Sequence, residues 1–203
     1  SKRSLVTGLQ VMSFEYRLAP EHPYPAAVED ALQAWDHLMY LGYGARDIIV
    51  AGDSAGGNLA LVLTHKLKEA GRLLPRALLL FSPWTDMTAS GKSSQERADI
   101  APVLTLNYIY ATRDDYARGE DLTDPCLSPL FADLTGFPPT LIQAGTNELL
   151  LSDSVRLRNR MLKASVPCKL EVWDKMWHVF QTFPMKKANE AMEHAASFLM
   201  GGL

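Results

Sequence analysis

Apolar positions along the chain recur with two periods, and the switches between them divide it into elements. Val11-Met12-Ser13-Phe14-Glu15-Tyr16 alternates loosely and is rich in large side chains, which predicts a strand entering a core. The prolines of Leu18-Ala19-Pro20-Glu21-His22-Pro23-Tyr24-Pro25 then stiffen a loop, and Pro25 suits the first turn of a helix, where a missing N–H costs little. From Ala26 to about residue 41, Val28, Leu32, Trp35, Leu38 and Met39 share one helical stripe, which Gly42 and Gly44 end. The rhythm repeats with a strand at 48–51, a helix at 55–69 and a strand at 77–81. Further on come a strand at 140–144, a helix at 154–164, a strand at 169–173 and a closing helix near 188–199. Short apolar strands alternating with amphipathic helices indicate a mostly parallel sheet covered on both faces, an α/β doubly wound architecture.

Residues 86–136 interrupt that rhythm with Ser, Lys, Arg and Asp around a helical segment at 104–116. An insertion between strands at the carboxyl edge of a sheet is where binding walls are built, so the segment is read as a cap-like insertion; a solvated excursion with a satellite helix is the alternative.

The totals narrow the picture. At 203 residues and 47% apolar, the chain has the size and the core of one domain. A net charge of -3, from 20 basic and 23 acidic residues without blocks, offers no field to nucleic acid or anionic lipid and points to a small, uncharged partner. Cys126 and Cys168 have no metal-ligand spacing around them and read as free thiols in a reducing compartment. No apolar run approaches the roughly 20 residues of a membrane helix, and Ser1-Lys2-Arg3-Ser4 lacks a signal-peptide core, so a cytoplasmic protein without stable membrane insertion is expected. Serine at position 1 suggests a start inside a longer chain.

The candidate chemistry sits at Gly52-Asp53-Ser54-Ala55-Gly56-Gly57, where a buried strand gives way to a helix. GxSxG in that context is a nucleophile elbow: the serine occupies a sharp, strained turn, and Gly52 and Gly56 are expected to relieve the crowding around it. The helix beginning at Ala55 aims its N-terminal N–H groups at the reaction centre, making the Ala55 N–H an oxyanion-hole donor. A hydroxyl needs a base with an acid behind it, in the chain order serine, acid, histidine. His22, His37, His65 and His194 lie in the proline loop or inside helices, whereas His178 stands in a short loop after the 169–173 strand, on the side where Ser54 emerges. For the acid, both Glu148 and Asp153 follow the 140–144 strand; Glu148 comes first, and Asp153 with Ser152 looks like the start of the next helix. Glu148 is therefore preferred, its task being to hold His178 in the right tautomer.

With Ser54, Glu148 and His178 in place, the chain resembles the bacterial hormone-sensitive-lipase-like (family IV) carboxylesterases of the α/β-hydrolase fold. The likeness is carried by Tyr16-Arg17-Leu18-Ala19-Pro20-Glu21-His22-Pro23-Tyr24-Pro25-Ala26-Ala27, by Gly52-Asp53-Ser54-Ala55-Gly56-Gly57 and by Ser82-Pro83-Trp84-Thr85-Asp86. Asp124-Pro125, Ser128-Pro129-Leu130 and Met176-Trp177-His178-Val179-Phe180 add to it. The resemblance implies hydrolysis of carboxylic esters with short to medium acyl chains by a Ser-His-Glu triad, no cofactor, and homodimers formed through the edge strand between Lys169 and Trp173. It also implies a His-Gly-Gly-Gly loop supplying further oxyanion donors upstream of Tyr16, a motif these residues do not contain. Trp84, Met176, Trp177 and Phe180 are expected to wall an apolar acyl pocket, and Arg17, Glu21 and Asp30 to form a buried ion-pair cluster that fixes the proline loop. A non-catalytic ligand receptor on the same fold, and an amidase or peptidase using the same triad, are the alternative readings.

Overall fold

The computed structural model describes residues 8–201. Four strands, β1 (Ile49–Asp53), β2 (Ala77–Phe81), β3 (Thr140–Gly145) and β4 (Cys168–Trp173), form one sheet in the order β1-β2-β3-β4, and every neighbouring pair is parallel. The helices are α1 (Ala26–Tyr40), α2 (Ala55–Glu69), the single turn α3 (Ser93–Glu96), α4 (Leu106–Ala117), α5 (Leu151–Lys163) and α6 (Lys186–Met200). From Ala26 onward the elements follow the expected order, with boundaries that differ from the sequence reading by up to three residues.

β2 shows why an unbroken apolar run is a strand here. All five of its residues are buried, and alternate ones serve opposite faces. Leu78 and Leu80, with Ile142 of β3, pack against Ala60 and Leu61 of α2 and Leu157 and Met161 of α5. Ala77, Leu79 and Phe81, with Leu141, pack against Met192, Ala195 and Leu199 of α6. The sheet is thus covered on both sides. A further layer forms outside α2, where Val28, Ala31 and Trp35 of α1 meet Leu59, Val62, Leu63 and Leu67. Cys126 and Cys168 are both unbridged thiols. No helix among the described residues is long and apolar enough to cross a membrane.

Two expectations fail in the first part of the chain. Residues 11–16 carry no strand; β1 pairs with β2 alone among the described strands, and a strand exists only through its ladder. Val11, Met12 and Phe14 are exposed, and Phe14 instead meets Tyr16 with ring centroids 6.0 Å apart. The ion-pair cluster is also differently composed. The Arg17 guanidinium bonds Asp30 at 2.8 and 3.0 Å and Glu29 at 2.8 Å, so Glu29, the residue before Asp30 on α1, takes the place expected of Glu21. With Arg17's side chain 42% exposed, the cluster is a surface clamp rather than a buried one. The proline loop is held from its other side by α4: Tyr24 N–H donates to Tyr116 O at 2.9 Å, and Arg118 donates to Pro20 O at 2.7 Å.

Because all four strands point the same way, the loops that follow β1, β2, β3 and β4 emerge at one edge of the sheet. The segment between β2 and β3 returns to that edge. Ile109 and Ala117 of α4 pack with Trp84, Met87, Leu127, Leu149 and Leu150, which places α4 against the loop carrying Glu148.

Candidate active site

Ser54 is the single residue between β1 and α2, and its backbone is forced into φ 54°, ψ -118°. That is a sparsely populated region for a residue with a side chain, and it persists only when surroundings over-determine it. They do so through four bonds. Ser54 N–H donates to Phe81 O at 2.9 Å, and Ser54 O accepts from Gly57, Asn58 and Trp84 N–H at 3.0, 3.2 and 3.1 Å. A Cβ on Gly52 would lie 2.1 Å from Gly56 O, so the strand and helix can approach this closely only with glycine at 52. The second glycine of the elbow pattern has a different standing from that expected. Nothing lies within 4 Å of a Cβ placed on Gly56, whereas one on Gly57 would meet Pro83 Cβ at 2.8 Å; the helix packs on the loop after β2 through residue 57. Asn58 secures the same junction, donating to Trp84 O at 2.9 Å and Leu127 O at 2.8 Å. Ala55, the first residue of α2, is exposed beside the hydroxyl.

His178 reaches Ser54 from the loop after β4, its Nε2 lying 2.8 Å from Ser54 Oγ across 124 positions of sequence. That loop is clamped onto the one after β3. Thr146 N–H donates to Trp173 O at 3.1 Å, Asn147 N–H to Met176 O at 2.9 Å, and Lys175 N–H to Thr146 Oγ1 at 2.7 Å.

Glu148 stands in the clamped partner loop and is fully buried. Its Oε2 accepts from Gly145 N–H at 3.1 Å and from the Ser82 hydroxyl at 2.8 Å. Its other oxygen, Oε1, and the His178 Nδ1 are both buried without a hydrogen-bond partner, so the acid and the base are each held and the bond between them is not made in this structure. Burial raises the Glu148 carboxyl to about 7 against the two donors that favour its charge, and Asp153 adds to the rise. Burial also pushes the His178 imidazole down to about 4, against the negative charge of Asp53. His178 is therefore neutral at physiological pH and can accept a proton from the serine.

Asp153 does other work. It lies in the first turn of α5, as its sequence context suggested, but its carboxylate accepts from Thr85 and Asp86 N–H at 2.7 and 2.9 Å and so ties that helix to the loop after β2. Burial raises it to about 7. The remaining histidines have local partners or surface positions: His65 Nε2 lies 3.5 Å from Glu69, His194 Nδ1 lies 3.2 Å from Glu171, and His22 and His37 are exposed.

Of the four side chains expected to wall an acyl pocket, Trp177 is half-buried and stacks edge-on against Phe183, with centroids 5.4 Å apart. Phe180 is fully buried and packs with Met176, Ala188 and Ala191, while Trp84 is buried among Met87, Ile109 and Leu127. Met176, Phe180 and Trp84 are thus all buried side chains with apolar packing partners. Sequence reasoning passed over Ser82 and Asn58 as site residues. The available signal was a polar residue where an apolar strand or helix face should continue.

Comparison with known proteins identifies the family and the fold. The family model described as the alpha/beta hydrolase fold matches residues 3–182. An esterase of Acinetobacter venetianus is 38% identical over 196 residues, covering 95% of this chain and 64% of that protein. An acetyl-hydrolase of Streptomyces hygroscopicus is 38% identical over 194 residues, covering 95% and 65% respectively. The chain therefore spans just under two thirds of the length of these relatives. Among solved structures, an esterase from the bacterial hormone-sensitive lipase family superposes with a TM-score of 0.97 at 38% identity, covering 100% of this chain and 69% of that one. A hormone-sensitive lipase from a metagenome library gives 0.96 at 36% identity, covering 100% and 70%. The elbow at Ser54, the parallel sheet and these likenesses lead to one assignment: the chain belongs to the α/β-hydrolase family, in its bacterial hormone-sensitive-lipase-like esterase branch.

Proposed function

We propose that the protein hydrolyses carboxylic esters with short to medium acyl chains through an acyl-enzyme, with Ser54 as nucleophile, His178 as general base and acid, and Glu148 as the acid that orients His178. The observation that carries this reading is the 2.8 Å contact between His178 Nε2 and the hydroxyl of a serine held in a strained turn. The esterase and acetyl-hydrolase names of the relatives support the same reaction class.

The chemistry follows from the positions. His178 Nε2 takes the Ser54 proton as Oγ attacks the ester carbonyl, and the alcohol leaves with that proton as the carbonyl re-forms. Water then attacks the acyl-enzyme by the same route, yielding the carboxylic acid and restoring the hydroxyl. The Ala55 N–H stabilises the oxyanion in both steps, supported by its position at the positive end of α2. Glu148 Oε1 is the oxygen free to receive Nδ1–H as the imidazolium forms. Trp177, half-buried and edge-on to Phe183, offers apolar surface to the acyl chain, and residues 86–136 act as a cap whose α4 is seated on the Glu148 loop. Neither step needs a cofactor.

Turnover of 4-nitrophenyl butyrate tests the reading. Ser54→Ala should lower kcat on the order of 10⁴- to 10⁶-fold without moving the melting temperature by more than a few degrees. Turnover retained by that variant refutes the assignment of Ser54. Matched ester and anilide substrates separate an esterase from an amidase: a rate on the anilide equal to that on the ester overturns the ester preference.

A further inference from the structure

Three chain segments that are remote in sequence converge on one hydroxyl. Ser82 follows β2 directly, has no solvent exposure, and adopts φ 48°. Its own N–H donates to Gln143 O at 2.8 Å, which locks it against β3. Its Oγ donates to Glu148 Oε2 at 2.8 Å and accepts from Val179 N–H at 3.0 Å. Val179 is the neighbour of His178, and its backbone is itself left-handed at φ 52°. One oxygen thus touches both the acid and the backbone beside the base.

We propose that Ser82 is a positioning residue for the triad: its hydroxyl holds the Glu148 carboxylate and the His178 loop in a fixed mutual geometry and leaves Oε1 as the oxygen presented to the imidazole. The inference rests on the triad reading above. Its logic is the direction of the bonds. Val179 N–H can only donate, so the Ser82 oxygen must accept from it, and the single hydroxyl proton is left for the carboxylate. A carboxylate that receives this proton and the Gly145 N–H on Oε2 has one oxygen unbonded, and that oxygen is the one a triad needs. Both donors bond a carboxylate more strongly than a neutral acid, so the arrangement works against the burial that raises Glu148. The other charged groups nearby are few: Asp153 on α5 faces Glu148, with Asp86 and Arg156 behind it, and Asp53 faces His178. None of them donates a hydrogen bond to Glu148.

The test is covalent labelling of Ser54 by a fluorophosphonate, in which the Oγ–P bond forms, the P–F bond breaks, and the serine proton passes to His178. Second-order labelling rates would be followed by mass spectrometry across pH 5 to 9 on wild type, Ser82→Ala, Ser82→Gly and Ser82→Thr, alongside thermal melts. Alanine and glycine are expected to label about 10- to 100-fold more slowly and to shift the acid limb upward by about one pH unit. Glycine relieves the positive φ, so it carries the test if the alanine protein fails to fold. Threonine keeps the hydroxyl at a strained φ; it should melt lower yet retain the wild-type pH profile. Wild-type rates and an unmoved acid limb in alanine and glycine overturn the proposal, as does a threonine profile that matches alanine. Wild type that fails to label at Ser54 overturns the triad reading itself, a distinguishable result.

Discussion

Glu148 concentrates the physics of the site at the scale of one residue. Removing a carboxylate from water costs more than two hydrogen bonds return, so burial raises it to about 7. A group whose folded value lies above its unfolded one contributes stability below the unfolded value, near 4.5, and loses that contribution as pH rises through the folded value, near 7. Glu148→Gln can keep its carbonyl at the Oε2 position and accept the same two bonds, but it does not titrate. Its stability relative to wild type should therefore grow between pH 5 and pH 8, by on the order of 2 to 3 kcal/mol at most. Thermal melts across that range check it, and a difference that stays flat or shrinks contradicts the burial argument. The same variant places an NH₂ where Oε1 stood and should lower kcat by up to about 10⁴-fold, the cost of the wrong histidine tautomer. The approach of His178 to Ser54 was legible in the sequence because each stands just past a recognisable strand at the same edge of the sheet. Ser82 was not, because its meaning lies in bonds spanning 66 and 97 positions.

At the scale of elements, what sequence supplies is the period, and what it withholds is the partner. β2 and α2 were legible to the residue, since a run buried on both faces and a helix with an apolar side need nothing remote to define them. Residues 11–16 have the composition of a strand without a neighbouring strand to pair with among the described residues, and composition alone does not make a ladder. The two glycines flanking Ser54 look equivalent in the motif and are physically unlike. Gly52→Ala drives a methyl to 2.1 Å from the Gly56 carbonyl, backbone against backbone, and should cost more than about 4 kcal/mol or prevent folding. Gly56→Ala adds a methyl in open space inside the first turn of α2 and should be neutral or stabilising by up to about 1 kcal/mol. Chemical denaturation of the two variants reads the contrast, and similar losses for both would mean that the elbow is not held by the β1–α2 approach.

At the scale of the whole molecule the sheet sets both the site and the surface. Parallel strands gather the four loops that follow them at one edge, and the same topology leaves β4 at one side of the sheet, paired among the described strands with β3 alone. Such an edge is a template for a second strand unless it is blunted. β4 is only partly blunted: Lys169 pairs with Glu171 at 2.7 Å, while Val172 is 44% exposed. We propose that two copies pair here about a twofold axis, each β4 extending the other's sheet, which is the closed arrangement that an edge of this kind favours. Glu171 gives the contact a route to the site, because Gln143 donates to it at 2.9 Å and accepts from Gln181, just beyond the His178 loop, at 3.1 Å. Placing like charges opposite one another across the axis is the direct probe. Val172→Lys should convert a dimer into a monomer in light scattering during size-exclusion chromatography while leaving the melting curve of the monomer fold intact, since the side chain points outward. Wild type that elutes as a monomer at tens of micromolar, or a Val172→Lys protein that remains dimeric, would remove β4 as the contact.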